Sequence, residues 1–515
     1  SRNLTLNFGV RLEVAHGVTE VNDILSNLNP TKTEALGGAG TGVLGGFDIG
    51  GSSFKRNWNW GPRFGFAWSP GGGKNVVRGG YGIAYDFIFL NPITNMRFLA
   101  PFMYNFSLPS SGFTGSNTFA NLVAGTSEFQ QQGLATVGGY GTTIRNFGAI
   151  SPVDQNLSNP QVQQWSLTLE RELSPQLVAS AAYVGTKGNF LQRARTLNTL
   201  APGRFTPPTS LAEEQAMQAA GVFATVNNGL NAALTTPGNR IDPRFNDVRM
   251  VEASANSIYH SAQFQLSRRF AAGYSFQAAY TVSKSIDDGS DSLNVLVNES
   301  FLQQNPFDNR NNRAVSQFDI PQRLVINHLY EPQFTAGISN AVLRTILHGW
   351  QFGGFFQIQS GQPATLFTGT RGGVQDPGLL GVGTAAVNGV TTSLVRANVN
   401  GAVNVNFVPN PGLGGANPNL VTSSNLAQPL VGHFGTLGRN TERLNRLAEF
   451  NWTFGKIFKI TERVSTQFQA QIYNVFNNTT FSRSGQVLSA PATFGYYSDT
   501  DTNTRNITMV LRVIW

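Results

Sequence analysis

A chain of 515 residues carries 36 Lys and Arg against 28 Asp and Glu, a formal charge of +8, yet charged residues make up only 12% of it, about half the share usual in soluble globular domains. There is no cysteine, which excludes a disulfide framework and thiolate metal sites. The basic residues are scattered rather than gathered in a tract, which argues against nucleic acid as a partner, and there is no run of about 18 apolar residues to make a transmembrane helix.

Charge is replaced by 56 Gly, 38 Phe and many Asn, Gln, Ser and Thr. That mixture suits antiparallel sheets with one apolar and one neutral polar face, joined by long irregular connections. The chain enters a strand pattern directly from Ser1, with no secretory signal, so we expect an N-terminal part of a longer protein to precede it.

From the N-terminus, LTLNFGVRLEV puts Leu4, Leu6, Phe8, Val10, Leu12 and Val14 on one face, with Thr5, Asn7, Gly9, Arg11 and Glu13 on the other. This period of two is the mark of a strand. QWSLTLERELS sets Trp165, Leu167 and Leu169 against Ser166, Thr168 and Glu170. GYSFQAAYTVSK sets Tyr274, Phe276, Tyr280 and Val282 against Ser275, Gln277 and Thr281. AEFNWTFGK and VSTQFQAQIYN repeat the pattern through Phe450, Trp452, Phe454, Phe468 and Ile472. The last residues, RNITMVLRVIW, end in mid-pattern on Trp515.

Twelve such segments are predicted, at about 4–14, 57–69, 75–86, 162–173, 177–187, 257–270, 273–285, 318–330, 348–361, 445–456, 464–477 and 505–515. Most are near ten residues, the length of a tilted strand that crosses a bilayer. Long connections (15–56, 87–161, 188–256, 286–317, 362–444 and 478–504) alternate with tight turns at 69–74, 172–176, 271–273 and 456–463; the stretch 331–347 is intermediate. Loops beyond about 15 residues are uncommon in compact soluble domains, and long-short alternation fits an outer-membrane barrel with periplasmic turns and outer loops. A soluble sandwich or propeller also alternates, but it must bury its apolar face under a second layer. The expectation is therefore an all-β, antiparallel transmembrane β-barrel of about twelve strands, one domain over 1–515, in the outer membrane.

On that reading Trp60, Trp68, Tyr85, Trp165, Tyr183, Tyr330, Trp350, Phe476 and Trp515 sit at the lipid interfaces, where aromatic rings are favoured. Gln263, Gln265, Gln277, Gln351, Gln357, Gln359, Gln467, Gln469 and Gln471 face a wet lumen.

Several stretches carry more than periodicity: NWGPRFGFAWSPGGGKNVVRGGYGIAYD (59–86), YTVSKSIDD (280–288), FDIPQRLVINHLY (318–330), GWQFGGFFQIQSGQPAT (349–365) and FQAQIYNVFNNTTF (468–481). These resemble the C-terminal part of TonB-dependent outer-membrane receptors, most closely the Oar-like branch with a carboxypeptidase-regulatory-like N-terminal domain. The resemblance spans nearly the whole chain except the long loops. It implies a 22-stranded barrel with a plug, preceded by a segment that contacts TonB, and energy-coupled uptake of a large scarce solute such as a siderophore, an oligosaccharide or a peptide. This chain has neither plug nor TonB segment and reads as the second half of such a receptor. Twelve strands alone leave two edges, so an open C-shaped sheet or a forced smaller barrel is expected. Implied partners are outer-membrane lipid and lipopolysaccharide, the TonB complex through the absent N-terminal segment, and the barrel-assembly machinery through the last strand. A passive porin or an adhesin-like barrel is the alternative.

No enzyme chemistry is legible. No nucleophile elbow or Ser-His-Asp order occurs, and the Gly-rich runs GGAG (37–40) and GLGG (412–415) read as loops rather than phosphate cradles. His16, His260, His328, His348 and His433 stand singly, although His328 and His348 flank one turn. No cofactor is expected. Asp287, Asp288 and Asp291 form either a solvated loop or a Ca²⁺ cluster, and DTDTN (499–503) lacks the Gly and distal Glu of a calcium loop. SLAEEQAMQAAG (210–221) is a helix with Ser210 as cap, Glu213 closing a capping box and Gly221 as stop, placed for recognition or for loop packing. Arg439, Arg443 and Arg446 either contact lipopolysaccharide phosphates or an anionic ligand, or form salt bridges with Glu442 and Glu449.

Overall fold

The computed structural model describes the chain apart from residues 1–2, 23–24, 30–45, 50–53, 97–148, 199–204, 223–240, 243–246, 291–302, 334–336, 369–383, 388–389, 394, 404, 406, 410–424, 462, 483, 498 and 501–503. Asp291, both Gly-rich runs and part of 499–503 lie outside the described residues.

A 14-stranded sheet dominates. Two members, Ala149–Ile150 and Ala314–Val315, are two-residue side branches. The rest form one antiparallel meander in chain order: β1 (Leu4–Ala15), β2 (Asn57–Trp68), β3 (Asn75–Tyr85), β4 (Gln161–Ser174), β5 (Leu177–Thr196) and β6 (Asp247–Ala271). It continues through β7 (Tyr274–Asp287), β8 (Gln322–Tyr330), β9 (Trp350–Gln359), β10 (Leu447–Lys459), β11 (Ser465–Tyr473) and β12 (Asn506–Ile514). Each expected segment corresponds to one strand. The sheet is open: β1 and β12 each pair on one side only.

The cross-strand register aligns the apolar rows on one face. Leu6 pairs with Phe66, Leu12 with Trp60, Phe64 with Tyr81, Tyr81 with Trp165 and Leu167 with Tyr183. The row continues through Phe264 with Tyr280, Tyr280 with Leu324, Ile326 with Phe356, Phe356 with Phe450, Trp452 with Ile472 and Phe468 with Leu511. Because a slip of one residue would turn a whole strand over, this agreement across twelve strands fixes the register. Among the described residues no protein layer covers the face: Phe8, Phe264, Met509 and Leu511 are exposed, and Phe450, Trp452, Phe468 and Ile472 are half-buried.

The buried cores lie elsewhere, at the end of the sheet where every long connection emerges. One contains Leu28, Phe54, Ile93, Met96, Val153, Leu157 and Val251. The other contains Leu366, Ala397, Val405, Phe407, Leu437, Phe494 and Tyr497. β5 and β6 overrun their expected ends into this region, where strict alternation gives way to burial of Arg193, Ala194, Met250, Val251 and Glu252. β8 starts at Gln322 rather than Phe318, because Asp319 turns aside to accept from Ser285 N at 2.6 Å and Pro321 has no N–H for the ladder.

The opposite end is tight. β6 and β7 are joined by Ala272 and Gly273, both at positive φ, as a primed two-residue hairpin turn requires. The intermediate stretch contains helix α1 (Ala341–Leu347), capped by Asn340, whose side chain accepts from Val342 N and Leu343 N.

Candidate functional site

Three surfaces carry the polar and aromatic chemistry: the second face of the sheet, the packed loop end, and the margins of the apolar face.

The second face is polar along its length. Gln265 stands opposite Ser180 and Ala279, Gln277 opposite Ser267 and Asn327, Gln357 opposite Val325 and Glu449, Gln467 opposite Arg512, and Gln469 opposite Gly455. All five predicted glutamines thus share one face. Gln357 donates to Gln359 at 3.0 Å and accepts from Arg323, and on the same face Asn451 donates to Glu449 at 2.8 Å and Tyr473 donates to Gln471 at 2.8 Å.

At the loop end the expected ion-pair partners of the arginines are corrected. Arg439 is buried and paired with Asp287; its guanidinium also donates to the Asn312 carbonyl at 3.0 Å and to Ser290 Oγ at 3.1 Å. Arg443 is paired with Asp319 and donates to the carbonyls of Asp319 and Gly361. Neither meets Glu442 or Glu449. The partners come from other connections; the Arg439 side chain is enclosed by them, whereas the Arg443 side chain stays 35% exposed. Arg446 is exposed. The aspartate expectation changes for the same reason: Asp287 and Asp288 are buried, and Asp288 accepts from Asn256 N at 2.8 Å. These two are not solvated, and Asp291, the third member of the expected cluster, lies outside the described residues. Among the described residues no group of three or more His, Asp or Glu stands together as a metal site.

The long connection 360–446 is tied down at several points. Asn440, at positive φ, donates from Nδ2 to the Val315 carbonyl at 2.9 Å and from its backbone N to Thr365 Oγ1 at 2.9 Å. Glu442 accepts from Val405 N at 3.0 Å, and burial pushes its carboxyl above the usual range. Burial pushes the Tyr497 phenol up to about 12, while its oxygen accepts from Asn445 N. Helix α2 (Leu211–Ala219) packs here too: Glu214 accepts from Val431 N at 3.0 Å, and His433 Nε2 lies 2.9 Å from the Pro208 carbonyl. Ser210 caps α2 as expected, by accepting from Glu213 N, but Glu213 reaches back to Thr209 N, one residue before the cap. The Thr209 N–H and hydroxyl hold the exposed Glu213 carboxyl below its usual range.

On the apolar face, Trp68, Trp350 and Trp515 lie at the short-turn end, and Trp60, Tyr85 and Phe476 toward the long-connection end. Phe476 packs on Phe450 at 5.1 Å. Trp165 and Tyr183 stand further inside, because β4 and β5 run on above them through Gln163, Gln161 and Lys187. Trp165 lies over Gly185, where an added Cβ would fall 2.2 Å from the indole. Tyr183 OH is 2.7 Å from His260 Nδ1, and the two rings stack at 6.1 Å. This Trp165–Tyr183–His260 unit was not singled out from sequence, although the alternation of β6 places His260 on the apolar face. Lys456 was also missed: its ammonium lies over Trp350 and Phe458 and donates to the Ile346 and His348 carbonyls, capping α1. His328 packs on Phe356 at 5.4 Å.

An antiparallel meander with one uncovered apolar face and all its cores at one end defines the wall of a membrane-spanning β-barrel. Residues 1–508 match the family described as outer membrane beta barrel domain, and the chain belongs to that family; it is an outer-membrane protein. No curated protein matches it. Solved structures similar to it include the outer membrane transporter YddB from Escherichia coli (10% identity, TM-score 0.41, 89% of this chain and 41% of that one). Others are the copper transporter OprC (8%, 0.40, 100% and 46%) and the siderophore receptor PiuA from Acinetobacter baumannii (9%, 0.40, 100% and 41%). The chain spans less than half the length of these structures.

Proposed function

We propose that the chain forms part of the wall of a TonB-dependent outer-membrane receptor of the Oar-like branch, which takes up a large scarce solute such as a siderophore, oligosaccharide or peptide by energy-coupled transport. The observation that carries this reading is the one-sided apolar face across twelve strands, with every long connection at one end and packed there. On this reading the long connections face outward and capture the solute, and the Gln-, Ser- and Thr-lined face borders a wet lumen that a plug fills. Trp68, Trp350 and Trp515 mark the periplasmic interface and Trp60, Tyr85, Trp165, Tyr183 and Phe476 the outer one. Arg443 and Arg446, both exposed, remain the arginines of their group for an anionic ligand. The TonB complex acts through an N-terminal segment outside this chain, and the barrel-assembly machinery reads β12. The barrel wall supplies shape and binding surface and no covalent chemistry.

The test is uptake of labelled solutes by cells expressing the full-length gene, with and without the inner-membrane TonB complex. Uptake that disappears without the complex supports the reading. Uptake indifferent to the complex, with steady conductance of the purified protein in planar bilayers, supports a passive porin instead.

A further inference from the structure

The connection from β8 to β9 is the longest at the short-turn end, and it differs from the others in kind. Its counterparts are tight turns, whereas residues 331–349 contain helix α1. Lys456 fixes where that helix lies. It stands in the apolar row of β10, opposite Trp350. Its side chain is buried, its ammonium lies over the Trp350 and Phe458 rings, and it donates to the His348 carbonyl and, at 2.9 Å, to that of Ile346. Trp350 Nε1 donates to the same Ile346 carbonyl at 2.9 Å. Two side chains of the apolar face thus hold the C-terminal end of α1 on the lipid-facing side of the wall. Gly349, at positive φ, carries the chain straight from the helix into β9, and its carbonyl accepts from Ile457 N at 3.0 Å.

The helix is amphipathic. Val342, Leu343, Ile346 and Leu347 fall within one arc about 140° wide, and Arg344, Thr345 and His348 occupy the other side. All four apolar side chains are exposed, Val342 by 68% and Ile346 by 55%. The polar side lines a cavity of about 550 Å³ together with Glu331, Gln333 and Lys459. Exposed Ile460 and Trp515 extend the apolar rim at the same end of the sheet. A helix of seven residues is marginal in water on its own. This one has both ends satisfied by side chains: Asn340 accepts from Val342 N and Leu343 N, and Lys456 and Trp350 donate at the other end. Such capping is what a helix needs where water is scarce.

We propose that α1 is an interfacial anchor: a short helix lying at the boundary of headgroups and acyl chains in the periplasmic leaflet, latched to the wall by Lys456 and Trp350. The occupant of its apolar arc is glycerophospholipid. Continuity decides for lipid over a protein partner. The arc stands on the same side of the wall as the apolar row through Trp350, Phe352 and Phe454, while Arg344 and Lys459 turn to the aqueous cavity. The tight turns end the strands in water; this connection returns to the membrane. Assignment to the periplasmic leaflet rests on the outward orientation of the long connections in the proposed function.

The chain has no cysteine, so an environment-sensitive fluorophore can be placed singly at residues 343, 344, 345 or 346 of the full protein. The labelled proteins are reconstituted in vesicles of phosphatidylethanolamine and phosphatidylglycerol. Labels at Leu343→Cys and Ile346→Cys emit to the blue, and lipid brominated near the headgroup quenches them at least about two-fold more than labels at Arg344→Cys and Thr345→Cys, which iodide quenches instead. Lys456→Met frees the helix end, and lipid quenching at 346 falls toward the value at 345. Heat-modifiable migration on gels verifies that each variant folds. Equal iodide quenching at all four positions overturns the anchor, as does shielding of 343 and 346 from both quenchers, the mark of a protein cover. Lipid quenching unaltered by Lys456→Met overturns the latch. The leaflet is read separately with an impermeant maleimide on cells carrying Thr345→Cys. Labelling only after permeabilisation supports the periplasmic side; labelling of intact cells refutes that orientation, while the quenching pattern still decides the anchor.

Discussion

The two ends of β5 and β6 obey opposite rules. Below about Lys187 their alternate residues, Ala179, Ala181, Tyr183, Phe264 and Leu266, project from an uncovered apolar face. Above it, Arg193, Ala194, Met250, Val251 and Glu252 are buried, and the two arginines converge on Glu252 at 2.9 and 2.8 Å. One pair of strands thus passes from a zone where hydrocarbon replaces a core to a zone where the protein supplies its own. Burial in this molecule is inverted relative to a soluble sandwich: among the described residues the cores gather in the connections and the overrunning strand ends beside them, and the apolar face of the sheet holds none.

That contrast can be broken at either end. The largest effect is expected at the loop end. Arg439→Ala leaves Asp287 buried without its partner, at a cost of about 3–5 kcal/mol, and limited proteolysis within 360–446 should accelerate sharply while the strands remain protected. In the apolar band, Phe264→Arg should cost about 2–4 kcal/mol at mid-membrane depth, lowering the fraction that shows heat-modifiable migration. Gln265→Arg, one residue away on the opposite face, should be tolerated. Unaltered folding of Phe264→Arg would mean that water reaches that face. Gly185→Val drives a side chain into the Trp165 ring, an overpacking cost of about 1–3 kcal/mol, visible as a shift in tryptophan emission and a lower melting temperature.

The smallest effect is a pH dependence. Burial raises the Glu442 carboxyl above the ordinary glutamate value of 4.5, so the folded loop end holds that proton more tightly than the unfolded chain does. This contribution is fully present below 4.5 and is lost as pH rises through the raised folded value. Hydrogen exchange at Val405 should quicken over that window, and Glu442→Gln should flatten the profile.

The strands were legible because a period of two survives wherever one face must be apolar, and the register then follows from matching rows such as Phe356 with Phe450. The loop end was not legible. Arg439 finds Asp287 at a sequence separation of 152, and Arg443 finds Asp319 at 124; nothing local points to either pair, and the nearby Glu442 and Glu449 were misleading neighbours. Lys456 escaped notice because a charged residue in an apolar row reads as a strand end, whereas here it caps the carbonyls of a short helix across the turn. The positions of Trp165 and Tyr183 inside the strands depend on how far β4 and β5 overrun the band, which the alternation of those strands does not mark.

The most direct measurement is the accessibility of nitroxide labels placed singly at residues 467 to 472 of β11 in a reconstituted membrane. Labels replacing Phe468, Ala470 and Ile472 should relax with dissolved oxygen, and those replacing Gln467, Gln469 and Gln471 with a water-soluble nickel complex, alternating residue by residue. Equal nickel accessibility on both faces, or labels at 468, 470 and 472 shielded from both reagents, would contradict the assignment of hydrocarbon to one side of the sheet and water to the other.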